Sequence, residues 1–555
     1  MKKHYLLLAI TMLLFTVADA AERTWQQKKQ IAQTILGRQI TTSSVAGNEL
    51  KLLKETEGLS VLGYDNGGFA VISNDDRCEA VLGWSTARYN TDNMPDGLKW
   101  WLSAVDEVLS SATDYVREYL PSDIDPSLPA SVTPMLTSVW GQSEPFNLQC
   151  PHQYPSGCVA TAMAQIMYYH KYPVNGNGFV IGDMGAVFDF SNTTYEYDKM
   201  LPDYRNGYSI EQGNAVATLM RHCGVAVSMN YASSGSGAFS IKAALAMHEN
   251  FLYNENLTYR MRDYHKTADW MKTVYGELAA GRPILYGAQD ARGSGGHAFV
   301  FDGYREDGLV SVNWGWDGEG NGYYDIELLN PDMIGSTFEY SEGQDMIVGL
   351  GLPDETIEHH SELVCGDNLE ASFDNNELTV NISKLSFYNL NIYDFTGNLY
   401  IKLTGNGRDY TLYNYSFAGQ ENQISMFTIT GGQARFFGKS LGVDYTGNLP
   451  ANLPDGTYTL YLAVQDGGRS EITPVPFPEG TVSSYTLTKT GSNITLEPGD
   501  DDTTSGINGI VISPETQIES ADDRIYSIDG RYVGKDVNSL GKGLYIRNGK
   551  KFVKK

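Results

Sequence analysis

The chain has 555 residues, enough for three or four domains at ~150 residues each, every one large enough to bury a core. Its 67 Asp and Glu against 40 Lys and Arg leave a net charge of −27, which excludes nucleic acid and an anionic membrane surface as partners, since both require a basic face. Aromatic residues make up 12% of the chain, too many for a disordered protein.

The N-terminus reads as a targeting segment. Lys2 and Lys3 precede the short apolar run Leu6 to Val17, and Ala18-Asp19-Ala20 has the small-x-small form of a cleavage site. The run is too short to span a bilayer, so residues 1–20 are expected to be a signal peptide, and the chain secreted or cell-surface associated with no transmembrane segment. The cysteines are Cys78, Cys150, Cys158, Cys223 and Cys365. An odd, sparse set in an exported protein is not a disulfide framework and leaves at least one thiol over, a candidate for reactivity. No CxxC pair or HExxH motif occurs, so no metal and no cofactor is expected.

Residues 21–128 are expected to form an α/β unit. Gly68 to Ile72 and Ala80 to Gly83 read as strands, and Leu98 to Tyr119 as a helix, with Leu98, Trp101, Leu102, Val105, Val108 and Leu109 on one face. Pro121 to Pro134 holds four prolines among Ser and Asp and reads as an extended, accessible linker. Residues 129–353 form a second unit, with one clear helix over Val159 to His170, stopped by Pro173. Strands follow at Pro283 to Tyr286, His297 to Asp302 and Leu309 to Trp314. Residues 357–497 alternate apolar and polar side chains, most clearly over Asp455 to Val464, which predicts an antiparallel β-sandwich. Residues 498–555 hold an acidic spacer and a small β module.

Cys158 sits where the turn Ser156-Gly157 passes into the helical pattern. A helix N-terminus offers free N–H groups and the positive end of the dipole, and both favour the nucleophilic thiolate. His297 lies in a glycine-rich approach to an apolar strand, with room for a substrate backbone beside the imidazole. The Cys-to-His separation falls within the ~130–150 residues of papain-type peptidases. A hairpin centred on Arg305 places Asn313 across from His297, where its amide can orient the ring, as a third group does in covalent catalysis. Gln142 is the candidate oxyanion donor, sharing that role with the backbone N–H of Cys158. The same residues would also serve a thiol amidase or a transglutaminase-like transferase. In a different class of function, the β modules act as an adhesin and the thiol site is vestigial.

Four segments in order resemble the streptopain family of cysteine peptidases. These are Pro134 to Gln142 with Pro145-Phe-Asn and Cys150-Pro151, Tyr154 to Pro173, Gly296 to Gly303, and Val312 to Trp316 with Gly322-Tyr-Tyr324. The resemblance implies an α+β, papain-like fold with Cys158 in a helical half and His297 in a β half. It implies Gln142 at the oxyanion hole, Trp314 packed over the His297–Asn313 pair, and endopeptidase action on protein or peptide substrates with a hydrophobic preference two residues before the cut. Met229 to Ala238 resembles the family's substrate-lining loop, which implies Ser236 and Gly296 as substrate contacts. Gly68 to Arg77 and Val81 to Ser85 resemble its prodomain, so the N-terminal unit is expected to be an intramolecular inhibitor, removed by cleavage within 121–134 through the enzyme's own action or another protease's. The C-terminal end resembles the sorting modules of exported proteins in some Gram-negative bacteria.

Overall fold

A ten-stranded sheet runs through the first two units in the order Lys51–Glu55, Leu59–Gly63, Phe69–Ser73, Val81–Ser85, Gly322–Tyr324, Val310–Asn313, Gly296–Tyr304, Ile284–Gln289, Asp345–Val348 and Thr258–Met261. The structure is a computed structural model that describes residues 22–39, 49–111, 115–182, 185–289, 296–329, 344–419, 428–430, 433–435, 439–478, 481–499, 525–527, 532–534, 543–547 and 550–554. The expected signal peptide and the acidic spacer after Gly499 lie outside the described residues. The two units join where Val81–Ser85 pairs antiparallel with Gly322–Tyr324, Trp84 opposite Tyr323.

Leu59–Gly63 and Phe69–Ser73 are buried on both faces, and Phe69–Ser73 accordingly reads as an apolar run. Helix Trp25–Gln39 covers one face, burying Ala32 and Leu36 against Leu62, Ala70 and Ile72. Helix Asp96–Ser111 covers the other, and Leu98, Trp101, Leu102 and Val105 enter one core with Phe299, Phe301, Trp314 and Tyr324. The N-terminal unit and the β half of the second unit thus share a hydrophobic core. This helix is shorter than its expected span to Tyr119: the apolar period ends at Leu109, and Tyr115 bridges Cys78 instead.

The second core lies on the opposite side of the sheet. Helices Cys158–His170, Ile210–Ala226 and Ser240–Glu249 pack there around Trp140, Met163, Met167, Leu219, Met220 and Met247, against Leu285, Ala298, Val300 and Ile347 of the sheet. Sequence patterning finds only the first of these helices. Ile210–Ala226 is buried nearly all round, so it carries no amphipathic stripe to detect. The linker is not wholly extended. Pro121–Ile124 makes one helical turn, most of 125–134 is exposed, and the chain then rejoins the sheet through Val132 N–H to Tyr304 O at 2.8 Å and Met135 N–H to Asp302 O at 2.9 Å.

Beyond residue 356 the expected sandwich is present. A sheet of Arg408–Ser416, Asn398–Gly405, Gly456–Gln465, Ser484–Thr490 and Asn493–Pro498, with Thr473–Pro474 added to Gly456–Gln465, faces a smaller sheet of Ala371–Asp374, Glu377–Val380 and Tyr445–Gly447. Leu399, Ile401, Leu403, Leu460 and Leu462 meet Leu378 and Val380 in their common core. The sandwich is fastened to the second unit by Arg260 to Glu362 at 3.0 Å and by Arg469 Nη2 donating to Asn256 Oδ1 at 2.9 Å. Residues 509–555 are a separate unit whose described strands form a four-stranded antiparallel sheet. Among the described residues no helix is long and apolar enough to cross a membrane.

Candidate active site

Gly157 caps the helix that begins at Cys158, with φ of +90°, a conformation that favours glycine. Space demands glycine as well. A Cβ here would stand 2.6 Å from Met229 Cε and 3.1 Å from Ser236 O. The Met229-to-Ala238 loop therefore lies directly against the Cys158 turn. Ser236 is buried in that loop, its Oγ accepting from Ala232 N–H at 3.3 Å.

Of the five cysteines, Cys158 is half-buried and the others are buried. Its thiol faces the start of strand Gly296–Tyr304, donating to Gly296 O at 3.9 Å. The structure thus brings the Cys158 turn to the residue beside His297, across two units of secondary structure far apart in the chain. His297 itself is half-buried and sits opposite Ala288 in the sheet. Ser156 N–H donates to Gln142 O at 3.0 Å, which places the Gln142 segment beside the same turn.

The Cys158 thiol has a pKa above its ordinary value here, contrary to the expectation that a helix start favours the thiolate. Burial pushes its pKa up, and the Asp96 carboxylate adds to the rise; the backbone N–H groups of Ala298, Val159 and Cys158 itself oppose it without overcoming it. Asp96 opens helix Asp96–Ser111 of the N-terminal unit. Next to it, Gly97 lies so close to Trp314 that a Cβ would be 2.7 Å from Cε3, and Trp316 Nε1 donates to Asn93 Oδ1 at 3.0 Å. The segment Asn93 to Gly97 is laid over the 314–316 edge of the site.

Asn313 does not lie across from His297. The hairpin register is interrupted by a bulge at Asp302, and Asn313 pairs with Val300, three residues further along the strand. Its amide donates to Ser138 O at 2.8 Å and Gln165 Oε1 at 3.2 Å, and its Oδ1 accepts from Gly315 N–H at 3.1 Å and Gln165 Nε2 at 3.3 Å. Trp314 packs on Phe299 at 4.7 Å and Tyr324 at 5.2 Å, with Nε1 donating to Gly320 O at 3.0 Å.

Sequence reasoning missed Gln165. It lies two helical turns from Cys158 and is fully buried. Besides Asn313, its Oε1 accepts from Ser138 Oγ at 3.0 Å and Trp140 N–H at 3.3 Å. One amide thereby ties the Cys158 helix to the segment leading into Gln142 and to the Asn313 turn. The signal was available: a glutamine in an otherwise apolar helix needs partners. Asp317 was missed too. Its carboxyl, pushed up in pKa by burial, fills the space over Gly141, where a Cβ would meet Asp317 Oδ1 at 2.6 Å.

Residues 140–324 match the family described as the Peptidase C10 family, and residues 22–109 match that described as Spi protease inhibitor. The chain is 32% identical to the thiol protease/hemagglutinin PrtT of Porphyromonas gingivalis over 63% of its own length, and it spans 44% of that protein. It is 28% identical to streptopain of Streptococcus pyogenes over 57% of this chain and 87% of streptopain. A solved fragment of Prevotella intermedia prointerpain A, carrying a Cys-to-Ala mutation, matches with 41% identity and a TM-score of 0.50, covering 55% of this chain and 99% of the fragment.

Proposed function

We propose that this chain, which belongs to the Peptidase C10 family and is a cysteine protease with an inhibitor-like prodomain, is an exported zymogen that cuts internal peptide bonds through Cys158. The observation that carries the assignment is the convergence at Cys158. Its thiol stands 3.9 Å from Gly296 O, next to His297, while Gln142 is bound to the turn that presents it.

In the mature enzyme His297 takes the thiol proton, and the thiolate attacks the substrate carbonyl carbon. The oxyanion is met by the Gln142 side chain and the Cys158 N–H. His297 then gives its proton to the leaving amine, and water, activated by the same imidazole, releases the acyl group. Asn313 is the orienting amide, Trp314 shields that side of the site, and Ser236 and Gly296 contact the substrate. Residues 21–128 are the prodomain and 129–353 the peptidase. The prodomain keeps the site latent by setting the Asp96 charge near the thiol and by covering the 314–316 edge. Export rests on the basic and apolar start of the chain, and attachment or sorting on residues 498–555.

Alkylation followed by peptide mapping tests this reading. Cys158 should react with iodoacetamide rapidly after the linker at 121–134 is cut and the prodomain removed, and at least ~10-fold more slowly before, because the thiolate is the reacting form. Equal, slow labelling in both states would contradict it.

A further inference from the structure

Arg221 is 5% exposed, on the helix Ile210–Ala226 that packs beside the Cys158 helix. A buried guanidinium is costly unless the fold makes use of it. Its central carbon stands 4.7 Å from the centroid of the Tyr231 ring and 4.7 Å from that of Phe188. Phe188 belongs to strand Val187–Asp189, which pairs with Phe179–Ile181. Tyr231 belongs to the Met229-to-Ala238 loop, so one side chain joins a helix, a hairpin and that loop. A planar guanidinium can lie over two rings at once, which the compact ammonium of lysine does less well.

The same helix is cut away to receive Tyr231. Gly224 lies one turn beyond Arg221 on the same face, and no positive φ requires glycine there, although glycine weakens a helix. What requires it is space, since a Cβ at position 224 would run into the Tyr231 hydroxyl. Gly224 O also accepts from Met229 N–H at 2.8 Å, where the loop begins. Arg221 and Gly224 thus form a socket, one over the ring and one behind the hydroxyl. At the neck of the loop, Asn230 and Gly237 exchange two backbone hydrogen bonds of 2.9 and 3.1 Å, and beyond it Ser233, Ser234 and Gly235 are exposed. Ser236 is buried, and its carbonyl and the Met229 methyl are what a Cβ at Gly157 would meet. The seating of Tyr231 therefore sets where Ser236 stands against the Cys158 turn.

We infer that Arg221 is a positioning residue for substrate binding: by stacking on Tyr231 it seats the Met229-to-Ala238 loop, and so holds Ser236 where a substrate backbone passes Cys158. It acts through Tyr231 and not on the reacting atoms. The inference rests on Cys158 being the nucleophile of a working protease and on Ser236 contacting its substrate.

The test measures KM and kcat of the processed enzyme on one fluorogenic peptide, for wild type, Arg221→Met, Tyr231→Leu and the two changes together. Arg221→Met keeps an unbranched stem and loses the stacking cation. Each single variant should raise KM about 10-fold and leave kcat within ~3-fold, because the loop holds ground state and transition state alike. The double variant should also stay near ~10-fold, and not reach ~100-fold, because the second change removes a contact already lost. Arg221→Lys, which keeps the charge without the plane, should fall between wild type and Arg221→Met. Iodoacetamide does not need the loop, so Cys158 of Arg221→Met should be labelled within ~3-fold of the wild-type rate. Additive effects in the double variant, a Tyr231→Leu enzyme with KM within ~3-fold of wild type, or a fall in kcat at unchanged KM would each overturn the inference. Should Arg221→Met fail to fold, Arg221→Lys and Tyr231→Leu, singly and combined, decide the same question. A wild type that cuts neither the peptide nor casein would instead count against the protease reading.

Discussion

Gly157 and Gln165 are the residues on which the geometry of the site turns. Gly157→Ala places a side chain at a φ that costs about 1–3 kcal/mol and drives it into Met229 and Ser236 O. The variant should melt lower and lose most activity; thermal unfolding and casein hydrolysis measure the two effects. Gln165→Leu leaves the Ser138 hydroxyl and the Asn313 amide short of partners and frees three segments from one another. It should lower kcat by roughly 10²-fold with little change in KM, the penalty of slight misplacement of reacting groups. A kcat within ~3-fold of wild type would show that the network does not position the site. At this scale Cys158 and His297 stand out in the sequence, because Gly157-Cys158 marks a helix start and His297 lies in a glycine-rich segment, whereas Gln142 carries no local mark of its own. The place of Asn313 is not legible there. Asp302 accepts from Ser311 Oγ at 2.7 Å and from Leu136 N–H at 3.0 Å, and the strand bulges there to make those bonds. A count of hairpin residues contains no sign of a carboxylate serving a third segment.

Among the elements, the stretch after helix Asp96–Ser111 is the clamp between the units. Arg117 donates to Asp325 Oδ2 from Nε at 2.9 Å and Nη2 at 2.7 Å, to Asp307 O at 2.6 Å and to Val81 O at 3.0 Å, with both side chains buried. Arg117→Ala strands a buried carboxylate and should cost about 3–5 kcal/mol. In hydrogen exchange, the N-terminal strands Leu59–Gly63 and Phe69–Ser73 should lose protection, and cleavage within 121–134 should quicken. Unchanged protection would mean that the shared core alone holds the unit. The amphipathic start of this helix was readable from Leu98 to Leu109, and the sandwich strand Gly456–Gln465 from its alternation. The helices of the second unit were harder. Ile210–Ala226 is surrounded by core on nearly every side, so hydrophobic periodicity vanishes where burial is complete. The continuity of the sheet from Val81–Ser85 into Gly322–Tyr324 is a pairing across more than two hundred residues, which local pattern does not encode.

For the whole molecule, buried titratable groups make stability depend on pH in two opposing ways. Burial raises Asp302 to about 6 and Glu327 and Asp345 to about 7, so the folded state holds these protons longer than the unfolded chain; the stabilisation is full below pH ~4 and is lost as pH rises through 6 to 7. Burial lowers His170, His222 and His360 to about 4, so stability is full above pH ~6.5 and is lost as pH falls toward 4. The two sets offset each other between these limits. The double variant Glu327→Gln/Asp302→Asn should therefore gain stability from pH 4.5 to 7 more steeply than wild type, as read from urea unfolding. Parallel profiles would contradict the assignment of those two carboxyls. The central claim concerns one thiol and is most directly tested by comparing wild type with Cys158→Ala, each purified from residue 21 onward and held under reducing conditions. Wild type is predicted to shed about one hundred N-terminal residues, the span of the expected prodomain, and to degrade casein. Cys158→Ala is predicted to stay whole and inactive, and to remain inactive after the linker is cut by an added protease. Casein hydrolysis by the variant, or a wild type that stays inert with its linker cut and its prodomain removed, would contradict the account.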